Sequence, residues 1–284
     1  MKRVVLAVHG GRTAEGAAHV ARLLSERTGA CIDAVGVLEP APAIDLGYGP
    51  VFLPDVATEE AADEELRHEL KHQLALAGLG TLSPSILHGG RVSSLAAAAK
   101  GADLLIVGIG PHHLVNRALG GETALHLAQC ASTPVLAVPA RMRELPRRAL
   151  VAVDFSAASI AAARIAASLL GPGETVELMH VTDAPRPGRR ATPTPPIDVL
   201  RELDRTAAEL MAGLTPERRV VTSTLTGSPA RTLLEAALKS GTELIALGSH
   251  GYSSWQRLVL GSVSSKLLRL ADCAVLIYPA RCVS

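Results

Sequence analysis

Three glycines and a serine near the carboxyl-terminal end of the chain have the spacing of groups that could contact phosphate. Gly248 and Gly251 enclose two residues, and nine further residues separate Gly251 from Gly261, which directly precedes Ser262. Glycine lets a backbone approach an anion closely, and the free N–H groups at a helix N-terminus attract negative charge. The Ser262 hydroxyl adds a further donor. This pattern therefore predicts a phosphate-binding loop that leads into a helix.

The elements around this loop predict a parallel sheet. Unbroken apolar strands that alternate with helices are typical of sheets covered on both faces, whose ligands bind beyond the carboxyl ends of the strands. Asp154 and Gly248 each follow such a strand. In this half we predict strands at 149–153, 176–181, 220–225, 244–247 and 274–278 and helices at 156–170, 196–214, 229–240 and 262–270, with Ser156 and Ser228 as N-caps and Gly241 as a C-cap.

An internal repeat sets the domain organisation. Residues 108–140 align with residues 248–280 without a gap, at a constant offset of 140, and Arg3–Val8 pairs with Arg148–Val153. The chain is therefore predicted to hold two domains of one α/β fold, residues 1–141 and 146–284. Each is expected to be a doubly wound unit with a five-stranded parallel sheet.

The motifs of the second half resemble those of the ATP-binding universal stress proteins. The resemblance rests on the G-x-x-G-x₉-G-S pattern from Gly248, on Val-Ala-Val-Asp154, on His180-Val181, on Gly227-Ser-Pro-Ala230 and on the closing 274–279 run. It implies the sheet order 3-2-1-4-5 and ATP as ligand, with or without Mg²⁺. The binding residues that it implies are Ala152, Asp154, Val181, Leu247, Gly248, Gly251, Gly261, Ser262, Val263 and Ser264.

Within this pattern, the resemblance assigns different parts of the ligand to different residues. Asp154 would hold the adenosine moiety, and the Val181 backbone would read the adenine edge. The glycines and the residues from Ser262 to Ser264 would line the phosphates.

The first half departs from the pattern at three places. His9 stands where the aspartate is expected, Pro111 replaces the second glycine, and Glu122 replaces the phosphate-facing serine. Proline removes an N–H donor, and a carboxylate at a helix N-terminus occupies the anion site itself. We therefore predict a degenerate first domain and one nucleotide per chain.

Other interpretations of these residues remain open. The glycines could be ordinary turn residues, Asp154 could cap the following helix, and His250 could be a solvent-facing loop residue. Arg117 and Arg257 occupy matching positions in both halves, which favours a structural role over phosphate contact.

Four histidines of the first half are expected to gather on one edge of its sheet. These are His9, His88, His112 and His113, and neutral imidazoles there could bind zinc or another borderline metal. No spacing signature supports a metal site, so none is assigned. There is also no G-x-x-x-x-G-K-[ST] loop and no nucleophile elbow, and no residue is identified as catalytic.

Composition excludes several partners. The net charge is +1 with 28 basic and 27 acidic residues, and aromatic residues make up 2% of the chain. Neither a nucleic acid nor an anionic membrane is expected to bind such a surface. No apolar segment reaches membrane-spanning length, and the four cysteines are predicted to be reduced, mostly buried thiols. A cytoplasmic location is expected.

The edge strands of the two domains suggest how they assemble. Fifth strands pair edge to edge in the family that the chain resembles, and here both copies are linked. We predict that 135–138 pairs with 274–278, which makes an intramolecular pseudo-dimer and leaves a further homodimer open. The predicted function is a nucleotide-dependent sensor or scaffold in the stress response, with an unknown protein partner. The alternatives are a slow ATPase or phosphotransferase and a ligand-free structural tandem.

Overall fold

The computed structural model describes residues 1–9, 11–40, 44–45, 50–51, 56–110, 121–171, 173–182, 197–213, 218–249 and 260–280. Within them the strands are β1 (Arg3–Ala7), β2 (Cys31–Leu38), β3 (Ile44–Asp45), β4 (Pro50–Val51), β5 (Ser85–His88), β6 (Leu104–Ile109), β7 (Val135–Pro139), β8 (Arg148–Ala152), β9 (Thr175–Thr182), β10 (Arg219–Thr226), β11 (Leu244–Gly248) and β12 (Ala274–Tyr278). The helices are α1 (Glu15–Thr28), α2 (Val56–Leu76), α3 (Arg91–Ala98), α4 (Gly121–Cys130), α5 (Ala157–Leu169), α6 (Ile197–Ala212), α7 (Pro229–Ser240) and α8 (Ser262–Leu270).

Ten of these strands form one continuous sheet in the order β10-β9-β8-β11-β12-β7-β6-β1-β2-β5. Within each half the strands are parallel, and both halves have the predicted order 3-2-1-4-5. The central strands are apolar because helices cover both faces of the sheet, whereas the edge strand β10 carries several threonine and serine residues. Strand β6, for example, is buried at each of its six residues. The remaining two strands, β3 and β4, form a separate small hairpin that the sequence pattern did not predict.

The two halves are joined by an antiparallel pair of strands at the centre of the sheet. Leu136 of β7 lies opposite Leu276 of β12, and the register places Ala137 opposite Val275. This pairing confirms the predicted intramolecular pseudo-dimer. It also removes two apolar edges that would otherwise invite aggregation, since an uncovered edge strand offers unpaired N–H and C=O groups to other chains.

The helices form two layers that each extend over both halves. Helices α1, α2, α5 and α6 pack on one face, where Leu24, Leu70 and Leu203 belong to one buried cluster. Helices α3, α4, α7 and α8 pack on the other, around Leu127 and Leu267. Since a fully buried leucine contributes roughly 1.5–3 kcal/mol, these layers are the main source of stability.

Helix ends in the second half follow the sequence predictions with one exception. The Ser156 hydroxyl accepts a hydrogen bond from Ser159 N (3.2 Å), and Gly241 ends α7 in the left-handed conformation at φ 66°. Ser228 occupies the N-cap of α7 as predicted, followed by Pro229; the exception is its side chain, which makes no capping hydrogen bond. Its carbonyl oxygen accepts from Thr232 N (2.9 Å) instead. Among the helices that the structure describes, none has both the length and the apolar character needed to cross a membrane.

Candidate functional site

The predicted binding residues of the second half lie where strands β9, β8 and β11 end side by side. These strands are parallel neighbours, with Ala152 opposite Met179 and Val151 opposite Ala246. Helix α5 leaves this edge over one face of the sheet, and α8 covers the other. The site is therefore at the point where the strand order reverses, as expected for an open α/β sheet. Gly251 and His250 lie outside the described residues.

Asp154 is held by the loop that follows β8. Its Oδ1 atom accepts hydrogen bonds from Ser156 N (3.0 Å) and from the Ser156 hydroxyl (2.6 Å). Ser156, rather than Asp154, caps α5, so the interpretation of Asp154 as the helix cap was wrong. Among the described residues no side chain or backbone group donates to Asp154 Oδ2. That oxygen can accept a hydrogen bond from a ligand.

The residue after Asp154 adopts an unusual backbone conformation. Phe155 has φ 62°, the one positive φ of a non-glycine residue in the described part of the chain. Its ring stacks on that of His180, with the centroids 4.9 Å apart. His180 Nδ1 lies 2.7 Å from the carbonyl oxygen of Val153, so this nitrogen must carry the proton and donate it. The stack thus ties the Asp154 loop to the end of β9, next to Val181.

Gly248 has a packing role that both halves share. A Cβ atom added there would lie 3.0 Å from the Ala158 Cβ and 3.3 Å from Ser159 N. At the matching Gly108 an added Cβ would lie 2.2 Å from the carbonyl oxygen of Thr13. The absent side chain therefore lets the segment that follows the neighbouring strand approach, which is the first turn of α5 after β8 and the short turn before α1 after β1. This contact explains why the glycine occurs in both halves. Gly248 is also the last residue of β11, so it lies at the edge where the predicted binding residues meet.

Two buried serines connect the end of β11 to the start of α8. The Ser264 hydroxyl donates to the Gly248 carbonyl oxygen (3.0 Å), so this side chain is turned to the protein rather than to solvent. Ser249 donates its N–H to the Tyr278 carbonyl (2.8 Å), and its own carbonyl accepts from Gly261 N (2.9 Å). The Ser249 hydroxyl also accepts from Ala280 N (2.9 Å). Both serines are 2% exposed.

Sequence reasoning overlooked Ser249 as a member of the site. The signal that could have found it is a polar residue directly after a buried strand, since a buried hydroxyl needs partners. Its bonds fix Gly261 and hence the first turn of α8.

Helix α8 begins with N–H groups that no side chain in the described part of the chain caps. Its N-cap is Gly261, which makes no side-chain hydrogen bond, and Ser262 at the first helical position is exposed. The first N–H groups of a helix have no intrahelical acceptor, and together with the helix dipole they attract anions. Ser262, Val263 and Ser264 carry these groups.

The matching edge of the first half is arranged differently. His9 contacts the Thr13 hydroxyl through Nε2 (3.1 Å), and Glu122 is exposed in the first turn of α4. A small pocket beside His9, lined also by Val37 and Gly108, has a volume of about 20 Å³. A volume of that size holds about one water molecule. Pro111 lies outside the described residues.

The histidines of the first half do not form a metal site in the part of the chain that the structure describes. No group of three or more histidine, cysteine, aspartate or glutamate residues there is placed to hold a metal ion. His88 Nε2 instead lies 3.2 Å from an oxygen of Asp63. His112 and His113 fall outside the described residues, as do Arg117 and Arg257.

Comparison with known proteins agrees with the fold and the repeat. The model of the universal stress protein family matches the chain twice, over residues 1–139 and 146–279. The chain belongs to the universal stress protein family. A universal stress protein of Mycolicibacterium smegmatis is 28% identical over 243 residues, which cover 78% of this chain and 79% of the relative.

Other members of the family match over shorter stretches or by fold. The universal stress protein YxiE of Bacillus subtilis is 45% identical over 51 residues, which cover 18% of this chain and 34% of YxiE. The chain thus spans about a third of that relative, and likewise 35% of universal stress protein MJ0531 of Methanocaldococcus jannaschii. The crystal structure of a universal stress protein from Archaeoglobus fulgidus superposes over 98% of both chains with a TM-score of 0.72 at 18% identity, which shows a common fold.

Proposed function

We propose that this universal stress protein binds one ATP molecule, in its second half, and acts as a nucleotide-dependent sensor or scaffold. The observation that carries the proposal is the start of α8. There the uncapped N–H groups that follow Gly261 are fixed beside the end of β11 by Ser249 and Ser264. Such a rigid set of donors suits phosphate oxygens, since little ordering remains to be done when the ligand arrives.

The neighbouring strand ends supply groups for the rest of a nucleotide. Asp154 keeps one carboxylate oxygen that can accept from a ribose hydroxyl, while Ser156 fixes the other. Ala152, Val181 and Leu247 stand at the ends of β8, β9 and β11, where the adenine would lie. Apolar contact from these residues and a main-chain hydrogen bond at Val181 would serve the base.

One nucleotide per chain follows from the chemistry of the first half. At its matching edge, a histidine stands in place of Asp154 and a carboxylate in place of Ser262. The carboxylate of Glu122 would repel phosphate from the N-terminus of α4. Isothermal titration with ATP, with and without Mg²⁺, should therefore give a stoichiometry of one. A value of two would overturn the assignment of the first half.

A substitution at Ser262 tests the position of the site. ATP at ~100 times its dissociation constant should add about 2.7 kcal/mol of stability, which raises the melting temperature by roughly 5–10 °C. Ser262→Glu should abolish this shift, because its carboxylate takes the place of a phosphate, and should leave the unliganded melting temperature unchanged. Ser262→Ala should keep most of the shift, since the backbone donors remain.

A matched control and a turnover assay complete the experiment. Lys266→Glu, an exposed change one turn further along α8, should keep the ATP shift. If Ser262→Glu keeps the full shift as well, the nucleotide lies elsewhere. A multiple-turnover assay with Mg²⁺ separates a sensor from an ATPase or phosphotransferase, because typical enzymes turn over ~1–1000 times per second.

A further inference from the structure

Two arginines from different halves of the chain meet at the C-terminal end of α5. Arg27, in the last turn of α1, donates through Nη2 to the Ser168 carbonyl oxygen (2.6 Å). Arg218, directly before β10, donates through Nη2 to the Leu170 carbonyl oxygen (2.9 Å). The two acceptors are two residues apart, so the guanidinium groups approach the same helix end. This place is remote from the strand ends that carry the proposed nucleotide site.

Most of the remaining donors of these arginines have no acceptor. Arg27 Nη1 and Arg218 Nε and Nη1 are buried from solvent, and no described residue accepts a hydrogen bond from them. Leaving a buried donor unsatisfied costs about 1–3 kcal/mol, and more when the group is charged. Within the described residues neither arginine forms an ion pair. In contrast, Arg22 on the same helix pairs with Glu26 at 2.5 Å.

Among the described residues no carboxylate pairs with either guanidinium, so the two positive charges face each other without a counter-ion. Burial lowers the pKa of Arg27 from its usual value, and the positive charge of Arg218 lowers it further. The C-terminus of α5 offers about half a negative charge to two full positive charges. Water could satisfy the free N–H groups, but it would leave the repulsion between the two cations in place. A bound anion would accept hydrogen bonds from these N–H groups and would also reduce the repulsion between the two cations.

We propose that Arg27 and Arg218 together bind a small tetrahedral oxyanion, a phosphate or the phosphate of a monoester, which bridges the two halves. A guanidinium presents a planar fork of N–H groups that matches phosphate oxygens in pairs, and two such forks can share one tetrahedral ion. The bound ion would join α1 of the first half to the segment before β10 in the second. Occupancy of this site would thereby stabilise the association of the halves.

The test uses the full chain with Ser262→Glu as background, so that phosphate at the proposed nucleotide site cannot contribute. Inorganic phosphate is titrated at constant ionic strength, with the melting temperature and calorimetric binding as readouts. Binding is expected in this background. Arg27→Gln and Arg218→Gln should each weaken it by about tenfold or more, because each removes a charged fork of donors. The control Arg22→Gln should leave it unchanged.

Further arms identify the ligand and protect the test from a folding defect. Arg27→Lys and Arg218→Lys keep the charge and remove the fork, so they should fold and still lose most phosphate binding. Glycerol phosphate in place of inorganic phosphate distinguishes a monoester from the free ion, and acetate tests a planar carboxylate. Absence of phosphate binding in the background, or equal binding in all arginine variants, would overturn the proposal. Because the proposed ATP shift is measured separately in the Ser262 wild type, failure of one site does not imply failure of the other.

Discussion

The two copies of the repeat differ in the residues at the carboxyl ends of their strands and also in the buried residues that support those strand ends. In the second half Ser249 and Ser264 join the end of β11 to the first turn of α8 through buried hydrogen bonds. The matching positions of the first half are Ile109 and Ala124, which are buried and apolar. The same backbone geometry is thus supported by hydroxyl groups in one half and by hydrophobic packing in the other.

Comparison of the halves distinguishes residues that the fold requires from residues that ligand binding would require. Gly108 and Gly248 are alike because in each half the segment after the first strand packs against this strand end. Ser249 and Ser264 have apolar equivalents in the first half, and His9 takes the place of Asp154 there. The glycine that the halves share therefore serves packing, and the residues that differ between the halves are the candidates for ligand binding.

The largest expected effect concerns the shared glycine. Gly108→Ala places a Cβ atom 2.2 Å from a backbone oxygen, which only a shift of the main chain can relieve. We expect a loss of about 2–3 kcal/mol in the free energy of unfolding. At Gly248 the nearest atom is a Cβ at 3.0 Å, so Gly248→Ala should cost about 1 kcal/mol or less. Urea unfolding of both variants measures the two losses, and equal losses would contradict the packing argument.

Exchanging the buried hydroxyl sharpens the comparison. Ser264→Ala gives the second half the residue that the first half carries, and it removes the bond to the Gly248 carbonyl (3.0 Å). Loss of this bond should cost about 0.5–1.5 kcal/mol. It should also reduce the ATP-induced rise in melting temperature, because the donors of α8 are held less firmly. The reverse change, Ala124→Ser, serves as the control and should leave the ATP-induced rise unchanged, because the second half is intact and the first half gains no site.

A smaller effect is expected from repairing one residue of the first half. Glu122→Ser removes the carboxylate at the start of α4 but leaves His9 and Pro111. Calorimetry should still find one ATP per chain, with at most a slight fall in stability, since an acidic side chain in the first turn suits the helix dipole. A rise in stoichiometry towards two would show that Glu122 alone blocks the first half.

The smallest effect on stability at neutral pH concerns Cys273, which matches Thr133 of the first half. Burial raises the pKa of the Cys273 thiol to about 11. In a variant with Cys31, Cys130 and Cys282 changed to serine, the rate of reaction with a disulfide reagent should keep rising up to about pH 11. A plateau near pH 9 would contradict the assigned pKa.

The same raised pKa implies a dependence of stability on pH. The unfolded thiol loses its proton near pH 9 and the folded one near pH 11, so the unfolded state binds fewer protons between these values. The free energy of unfolding should therefore fall from pH 9 to pH 11 and be unaffected below. Cys31 and Cys130 are exposed, and the prediction of buried thiols was wrong for them.

Sequence patterns predicted the architecture well because they report local periodicity. The predicted strand at 274–278 and helix at 262–270 coincide with β12 and α8. The pairing of β7 with β12 was also predictable, since two apolar edge strands within one chain have an obvious way to cover each other.

Other features of the site depend on tertiary contacts that have no local signature. The bonds of Ser249 reach residues 12 and 29 positions away, Gly261 and Tyr278. The stack of Phe155 on His180 needs a left-handed backbone at a phenylalanine, which residue preference disfavours. The meeting of Arg27 and Arg218 depends on the way that the two halves pack. None of these contacts follows from spacing alone.

The antiparallel junction of β7 and β12 has a consequence for how the molecule can signal. Within the ten-stranded sheet, the strands of one half run in the direction opposite to those of the other, so their carboxyl ends face opposite borders of the sheet. A chain with identical halves would offer the same chemistry at both ends. In this chain Asp154 lies at one border of the sheet and His9 at the opposite border, so the two borders differ chemically. The sequence differences between the two halves have thus removed the symmetry of the arrangement, so that its two ends are chemically distinct.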